Sequence, residues 1–296
     1  MKPIYTIMFF ISMALTVAAV ILVAVFGLRF GVDFKGGSLL EIAFVNPRPS
    51  TGEIQNIISG IDGVKNINVN PVGDNGALIR LNDINEQTHQ DILTKISGSF
   101  GEIMENRFDS IGPVVGNELR DKSVKAIVIL LIAIIIYLAF VFRKISRVLS
   151  SWAMGLAAIV ALVHDVIIPV GVFALLGHYY GIEITAIFVA AALTILGYSL
   201  SDSVVIFDRV RENVLRLGIS HQSFGALVHK SVLQTLVRSI NTTLTTLFSL
   251  IVIYFFGGES IKYFSLALII GIFSGAYSSI FVASPILVWL SNRRKS

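Results

Sequence analysis

The chain has 296 residues, 54% hydrophobic and 14% charged, with no cysteine, which excludes a disulfide framework or a thiolate metal site. Its net charge of +4 does not mark a nucleic-acid binder, because residues 30–122 carry −5 and the remainder +9. Apolar runs at 4–26, 124–142, 152–176, 183–207, 234–256 and 263–290 each approach the ~20 residues that cross a hydrocarbon core, so a six-span membrane protein with one acidic domain is expected.

The first run is longer than a signal-peptide core and no small-x-small site follows it, so residues 1–29 are expected to hold a retained first transmembrane helix. The acidic stretch 30–122 then opens with GVDFKGGSLLE (31–41). Its glycine pair lacks the GxxxxGK[ST] pattern of a phosphate loop, and a tight turn is expected. GSLLEIAFV (37–45) reads as a strand with Leu40, Ile42 and Phe44 on one face. STGEIQNIISG (50–60) reads as a helix opened by a Ser-x-x-Glu capping box. VKNINVN (64–70) and ALIRLND (77–83) are strands around the turn residues PVGDNG. A second helix opens at Asp83 and Glu86 and runs to Phe100, and NRFDSIG (106–112) is a last strand. The order β-α-β-β-α-β predicts an α+β ferredoxin-like domain, whose expected job is contact with another protein.

Five spans follow within 123–290, and a basic tail occupies 291–296. Lys2, the Arg143/Lys144/Arg147 cluster, the Arg209–Arg216 segment and Arg293–Lys295 fall on one side, whereas the loops at 177–181 and 257–262 carry only Lys262. The positive-inside rule therefore places both termini in the cytoplasm and the 30–122 domain outside. Trp152, Tyr179, Tyr180, Tyr254, Tyr263 and Trp289 sit at span ends, where amphipathic rings favour the interface. RVRENVLRLG (209–218) is expected to lie along anionic headgroups.

Ionisable groups inside spans cost ~2.5–3.5 kcal/mol at the helix centre and face partners or water. His164 and Asp165 lie in the third span, Asp202 in the fourth and Arg238 in the fifth. Arg238, Asn241, Thr242, Thr245 and Ser249 recur at helical spacing as one polar stripe. Thr194, Tyr198, Ser199 and Asp202 share a face continued by Ala190 and Ala191, and Ala153, Ala157, Ala161 and Asp165 recur every fourth residue. Gly271, Gly275, Ser279 and Ala283 form a small-residue packing stripe on the sixth span. At 1.5 Å per residue, Asp202 lies ~9 Å above Asp208 and Arg238 ~12 Å above Lys230. The matched depths predict an Asp202–Arg238 pair, direct or through water, serving an ion or proton relay. For His164 and Asp165 a helix–helix hydrogen bond and a relay are both open, and Pro169 is expected to kink that span and release backbone carbonyls. No metal, cofactor or enzymatic constellation is called for: there is no metal-ligand helix motif, no Gly-x-Ser with a paired His and no aspartate dyad.

VHDVIIPVGVFALLG, then GYSLSDSVVIFDRVREN, then RSINTTLTT, with GVDFKGG near the first span and IGPVVGNEL (111–119) before the second, resemble the SecF proteins of the bacterial and archaeal protein-export machinery. That resemblance implies a cell-membrane protein with no enzymatic activity. It implies SecD, of related six-span architecture, as a heterodimer partner within the resistance-nodulation-division superfamily. The pair would work beside the SecYEG channel on unfolded preprotein, using the proton gradient to assist translocation and release on the outer side. It also implies functional roles for Asp202 and Arg238, with Tyr198, Ser199, Ser201, Asn241 and Thr242 around them. Ser201 departs from the asparagine common in the family at that place. The rival expectations are a small-molecule exporter subunit of the same superfamily and a passive assembly subunit.

Overall fold

The computed structural model describes residues 2–143, 151–217 and 223–293. Lys144, Arg147, Gly218, Arg294 and Lys295, used above for orientation and for the basic segment, lie outside them. The chain divides into two compact units, one of residues 30–124 and one of 1–29 together with 125–296.

The 30–124 unit contains a four-stranded antiparallel sheet in the order β2-β3-β1-β4. Its elements are a one-turn helix α2 (Val32–Lys35), β1 (Gly37–Phe44), α3 (Thr51–Ser59), β2 (Asn68–Val72), β3 (Gly76–Leu81), α4 (Glu86–Phe100) and β4 (Ile103–Ile111). Leu40, Ile42 and Phe44 of β1 and Ala77, Ile79 and Leu81 of β3 pack under Ile54 and Ile58 of α3 and Ile92 and Ile96 of α4. The period-two alternation thus faces the helices' apolar stripes, and each fully buried aliphatic side chain stabilises by ~1.5–3 kcal/mol. The capping box forms: Ser50 Oγ accepts from the Glu53 N–H at 3.3 Å, and Glu53 Oε2 accepts from the Ser50 N–H at 2.9 Å.

Two strand boundaries differ from expectation. β2 begins at Asn68 rather than at 64, because Gly63 (φ 83°) and Asn66 (φ 55°) both take the left-handed conformation, which breaks an extended run. β4 begins at Ile103 rather than at 106, because it pairs with β1 back to Phe44. The glycine pair is more than a turn. Gly36 has φ 75°, and a Cβ there would stand 2.7 Å from Pro113 Cα, while one on Gly116 would stand 2.9 Å from Gly36 N. GVDFKGG and IGPVVGNEL therefore meet, backbone against backbone.

The second unit holds helices long and apolar enough to cross a membrane: α1 (Pro3–Phe26), α5 (Pro113–Val141, shared with the first unit), α6 (Ser151–Tyr180), α7 (Ala186–Leu217), α8 (Phe224–Phe256) and a last one from α9 (Glu259–Ser278) through a π segment (Ser279–Ala283) into α10 (Ser284–Arg293). These six mark a multi-pass membrane protein. α6, α7 and α9 form its interior, α1 lies against α6, and α8 against α7 and α9. Gly171 permits the first of these contacts, since a Cβ there would stand 2.6 Å from Ala19 Cα. Two expectations are corrected. The fourth and fifth spans have other bounds than their apolar runs: α7 continues unbroken past 207 to Leu217, and α8 begins at Phe224 rather than 234. Val210 and Val214 of α7 share a core with Phe224, Leu227 and Val228 of α8, and Asn213 Nδ2 donates to Ser231 Oγ at 2.8 Å and Gln234 Oε1 at 2.9 Å. Burial of those valines and of Asn213 against α8 carries both helices past the ends of their apolar runs. The small-residue stripe of the sixth span stays buried through the π segment, with Gly271 against Ile195 and Gly275 against Ser199 of α7.

Candidate functional site

The polar interior is built from four helices. α6 brings Asp165, fully buried, and His164, 3% exposed. Asp165 Oδ1 faces His164 Nδ1 at 2.9 Å, and its Oδ2 accepts from Ser278 Oγ at 2.7 Å and also from Ser199 Oγ. Pro169 has no N–H, so the Asp165 carbonyl lacks its helical donor four residues on. α7 brings Ser199 and, one turn later, Asp202, itself 8% exposed. Asp202 Oδ1 accepts from Ser239 Oγ at 2.5 Å and Oδ2 from Ser279 Oγ at 2.9 Å. α8 supplies Ser239 from a buried row of Ser231, Thr235, Ser239 and Thr243, spaced by four and therefore on one face. The π segment and the residue before it supply Ser279 and Ser278. Glycines make room for these contacts: a Cβ on Gly275 would stand 3.0 Å from Ser199 Cβ.

The direct form of the expected Asp202–Arg238 pair is not formed. Arg238 is exposed and, among the described residues, makes no ion pair. The physical reason is the twist of α8: Ser239, one residue on, points into the bundle, so Arg238 stands about 100° round the helix, on its exposed side at the rim of a cavity with α7. Asn241, Thr242, Thr245 and Ser249 follow Arg238 onto this outer face. There the Thr242 hydroxyl donates to the Arg238 carbonyl at 3.0 Å, and those of Thr245 and Ser249 bond back likewise. The α7 group divides as well: Ser199 and Asp202 are interior, Tyr198 is half-buried with its hydroxyl 3.3 Å from Thr246 Oγ1, and Thr194 and Ser201 are exposed. A cavity of about 220 Å³ opens between α7 and α8, lined by Val204, Val205, Asp208, Arg209, Gln234, Thr235 and Arg238.

Sequence reasoning missed Ser239, Ser278 and Ser279 as partners of the carboxylates. The repeat of Ser231, Thr235, Ser239 and Thr243 was a readable signal for the first. Ser279 was placed in a packing stripe, and the helix packing that brings Ser278 and Ser279 to separate carboxylates has no sequence signature. Among the described residues no group of three His, Cys, Asp or Glu is gathered to hold a metal ion.

Comparison with known proteins bears on this architecture. Residues 91–293 match the family model for the C-terminal part of the protein export membrane proteins SecD/SecF, and residues 21–47 match the SecD/SecF GG motif. The protein translocase subunit SecF of Thermobaculum terrenum is 41% identical over 96% of this chain and 92% of its own. That of Pseudomonas aeruginosa is 34% identical over 96% and 88%. The SecDF of Brucella abortus is 35% identical over 94% of this chain, which spans 36% of that longer protein. Among solved structures, the crystal structure of SecDF from Thermus thermophilus matches 98% of this chain with a TM-score of 0.84 at 31% identity. A SecDF structure in the super-membrane-facing form matches 97% with a TM-score of 0.67 at 33% identity. The chain spans 38% of each SecDF chain. With the family model matched over more than half its length and a relative 41% identical across nearly all of it, the chain belongs to the SecD/SecF family of protein-export membrane proteins.

Proposed function

We propose that the chain serves as the SecF subunit of the Sec accessory complex, pairing with SecD and using the proton gradient to assist preprotein translocation and release beside SecYEG. The observation that carries this reading is the setting of Asp202, a carboxylate inside the bundle held by two serine hydroxyls. A carboxylate locked to a guanidinium is held ionised. A hydroxyl both donates and accepts, so Ser239 and Ser279 can serve Asp202 charged or neutral, as a proton carrier requires. One charge crossing the membrane yields ~2.3 kcal/mol per 100 mV, enough to bias a conformational equilibrium. The cavity at Asp208 and Gln234, one to two turns along α7 from Asp202, supports proton access from the cytoplasmic side.

Arg238 supports the SecD partnership. Facing lipid at its depth would cost ~2.5–3.5 kcal/mol, so the exposed stripe from Arg238 to Ser249 fits a polar surface on another membrane helix. The SecDF relatives carry additional chain that would supply one. The 30–124 unit fits an extracytoplasmic ferredoxin-like domain, supported by its β-α-β-β-α-β order and its β2-β3-β1-β4 sheet. Both termini would then be cytoplasmic, and the domain would hold or release the emerging chain.

Export into inverted vesicles under an imposed proton gradient tests the reading. Asp202→Asn and Arg238→Met, each inserted normally beside SecD, are expected to lose the gradient-dependent part of export. Full gradient-dependent export by both variants would overturn it.

A further inference from the structure

A second carboxylate lies in the bundle, and the relay above does not use it. Asp165 has three hydrogen-bond partners, the His164 ring and the donating hydroxyls of Ser199 and Ser278. With Nδ1 donating to Asp165, the basic nitrogen of the imidazole is Nε2, because the partner of one ring nitrogen sets the tautomer. That Nε2 is buried and has no hydrogen-bond partner. An orphaned buried polar atom is destabilising and calls for an explanation in function. With Nδ1 committed to Asp165, Nε2 is the ring position free to take a proton: one proton adds there, the ring becomes a cation held against the Asp165 carboxylate, and the same proton later leaves.

The site is also wired to Asp202. In a regular α-helix, consecutive side chains point roughly 100° apart. Here the junction of α9 with the π segment sends Ser278 to Asp165 and Ser279 to Asp202, and Ser199 binds Asp165 from the α7 face that carries Asp202. A change of charge at either carboxylate therefore acts on two adjacent serines joined by one peptide bond. Few other titratable groups compete. Among the neighbouring helices, Tyr5 of α1 is bonded to His229 of α8 at 2.8 Å, and Tyr277 of α9 donates to the Met8 carbonyl at 2.8 Å. Tyr137 of α5 and Arg238 of α8 are exposed. On α7, Tyr198 is half-buried with its hydroxyl 3.3 Å from Thr246 Oγ1 and the remaining charges begin at Asp208, beyond Asp202; α8 has His229 and Lys230 near its start and Tyr254 near its end, and α9 carries Lys262 and Tyr263 at its far end. The described side chains of α10 include none.

We propose that His164 and Asp165 form a second proton-binding site inside the bundle, with His164 Nε2 as the acceptor, coupled to Asp202 through Ser278 and Ser279. The coupling half rests on the reading that Asp202 titrates, whereas the site itself does not.

Infrared difference spectra across the carboxylate and imidazole pH range, recorded on the full chain with SecD in lipid nanodiscs and with ring-¹⁵N histidine, test it. The wild type is expected to gain an imidazolium signal on acidification that is absent in His164→Gln. Asp202→Asn is expected to keep that signal and move its midpoint, because removing one buried charge changes the electrostatic cost of the other. A His164→Gln spectrum that superimposes on the wild type would overturn the site. An unmoved midpoint in Asp202→Asn would overturn the coupling, while the role of Asp202 itself stands or falls on the export assay. Should His164→Gln not insert, Ser278→Ala removes one hydroxyl only. It is expected to move the wild-type midpoint, and an unchanged midpoint overturns the proposal.

Discussion

Replacing Gly171 by alanine tests how closely α1 must approach α6. The added Cβ would stand 2.6 Å from both Cα and Cβ of Ala19 and 2.9 Å from its carbonyl oxygen. Ordinary carbon contacts are ~3.5–4.0 Å, so the two helices must part by about 1 Å, and the backbone atoms of Ala19 cannot swing aside. Overpacking of this kind costs ~1–3 kcal/mol, offset by up to ~1 kcal/mol from the better helix propensity of alanine. A net loss of about 1–2 kcal/mol is expected, read by equilibrium unfolding in mixed micelles. Gly197→Ala is the matched control, because a Cβ there meets nothing within 4 Å. It should be neutral or stabilising by up to ~1 kcal/mol. Gly171→Ala proving as stable as Gly197→Ala would refute the close approach. Since Gly171 follows Asp165 by less than two turns of α6, the same variant should also disturb the His164 signal described above.

Gly36→Ala places a Cβ 2.7 Å from Pro113 Cα at a φ of 75°; the strain and the clash together should destabilise the 30–124 unit by roughly 2–3 kcal/mol, seen as faster amide exchange in β1 and β4. Acid should loosen the start of α3, because the Ser50 hydroxyl, and then the Ser50 N–H, hold the Glu53 carboxyl below its ordinary value of 4.5. A depressed folded value means that the contribution is complete above pH 4.5 and is lost as pH falls through the folded value. Chemical shifts of residues 51–54 should follow that titration, and Ser50→Ala should weaken it and move it up toward the ordinary carboxylate value, leaving only the backbone N–H of residue 50 on Glu53.

The legible parts of this protein were those set by local periodicity. Six apolar helices follow from run length alone, and β1, α3 and α4 from alternation, a capping box and an acidic N-terminus. Boundaries moved where long-range contacts decided them: β4 reaches back to Ile103 because β1 offers a partner there, and α7 outlasts its apolar run because Asn213, Val210 and Val214 are buried against α8. The basic composition of 209–216 signals charge, whereas the interior face of the same turns carries the packing.

The site divides in the same way. Sequence by itself determined that His164, Asp165, Asp202 and Arg238 stand inside spans, and that Arg238 begins a polar stripe, because depth and face follow from 1.5 Å and 100° per residue. It could not determine which way a face points. Only the packing of α8 against α7 and α9 turned Ser239 inward and Arg238 outward, since one residue's rotation exchanges an interior position for an exterior one. Only the placement of α9 and the π segment against α6 and α7 set Ser278 on Asp165 and Ser279 on Asp202. Partner choice depends on how neighbouring helices are rotated and spaced, and that is fixed by close contacts such as Gly171 on Ala19 and Gly275 on Ser199, between residues far apart in the chain.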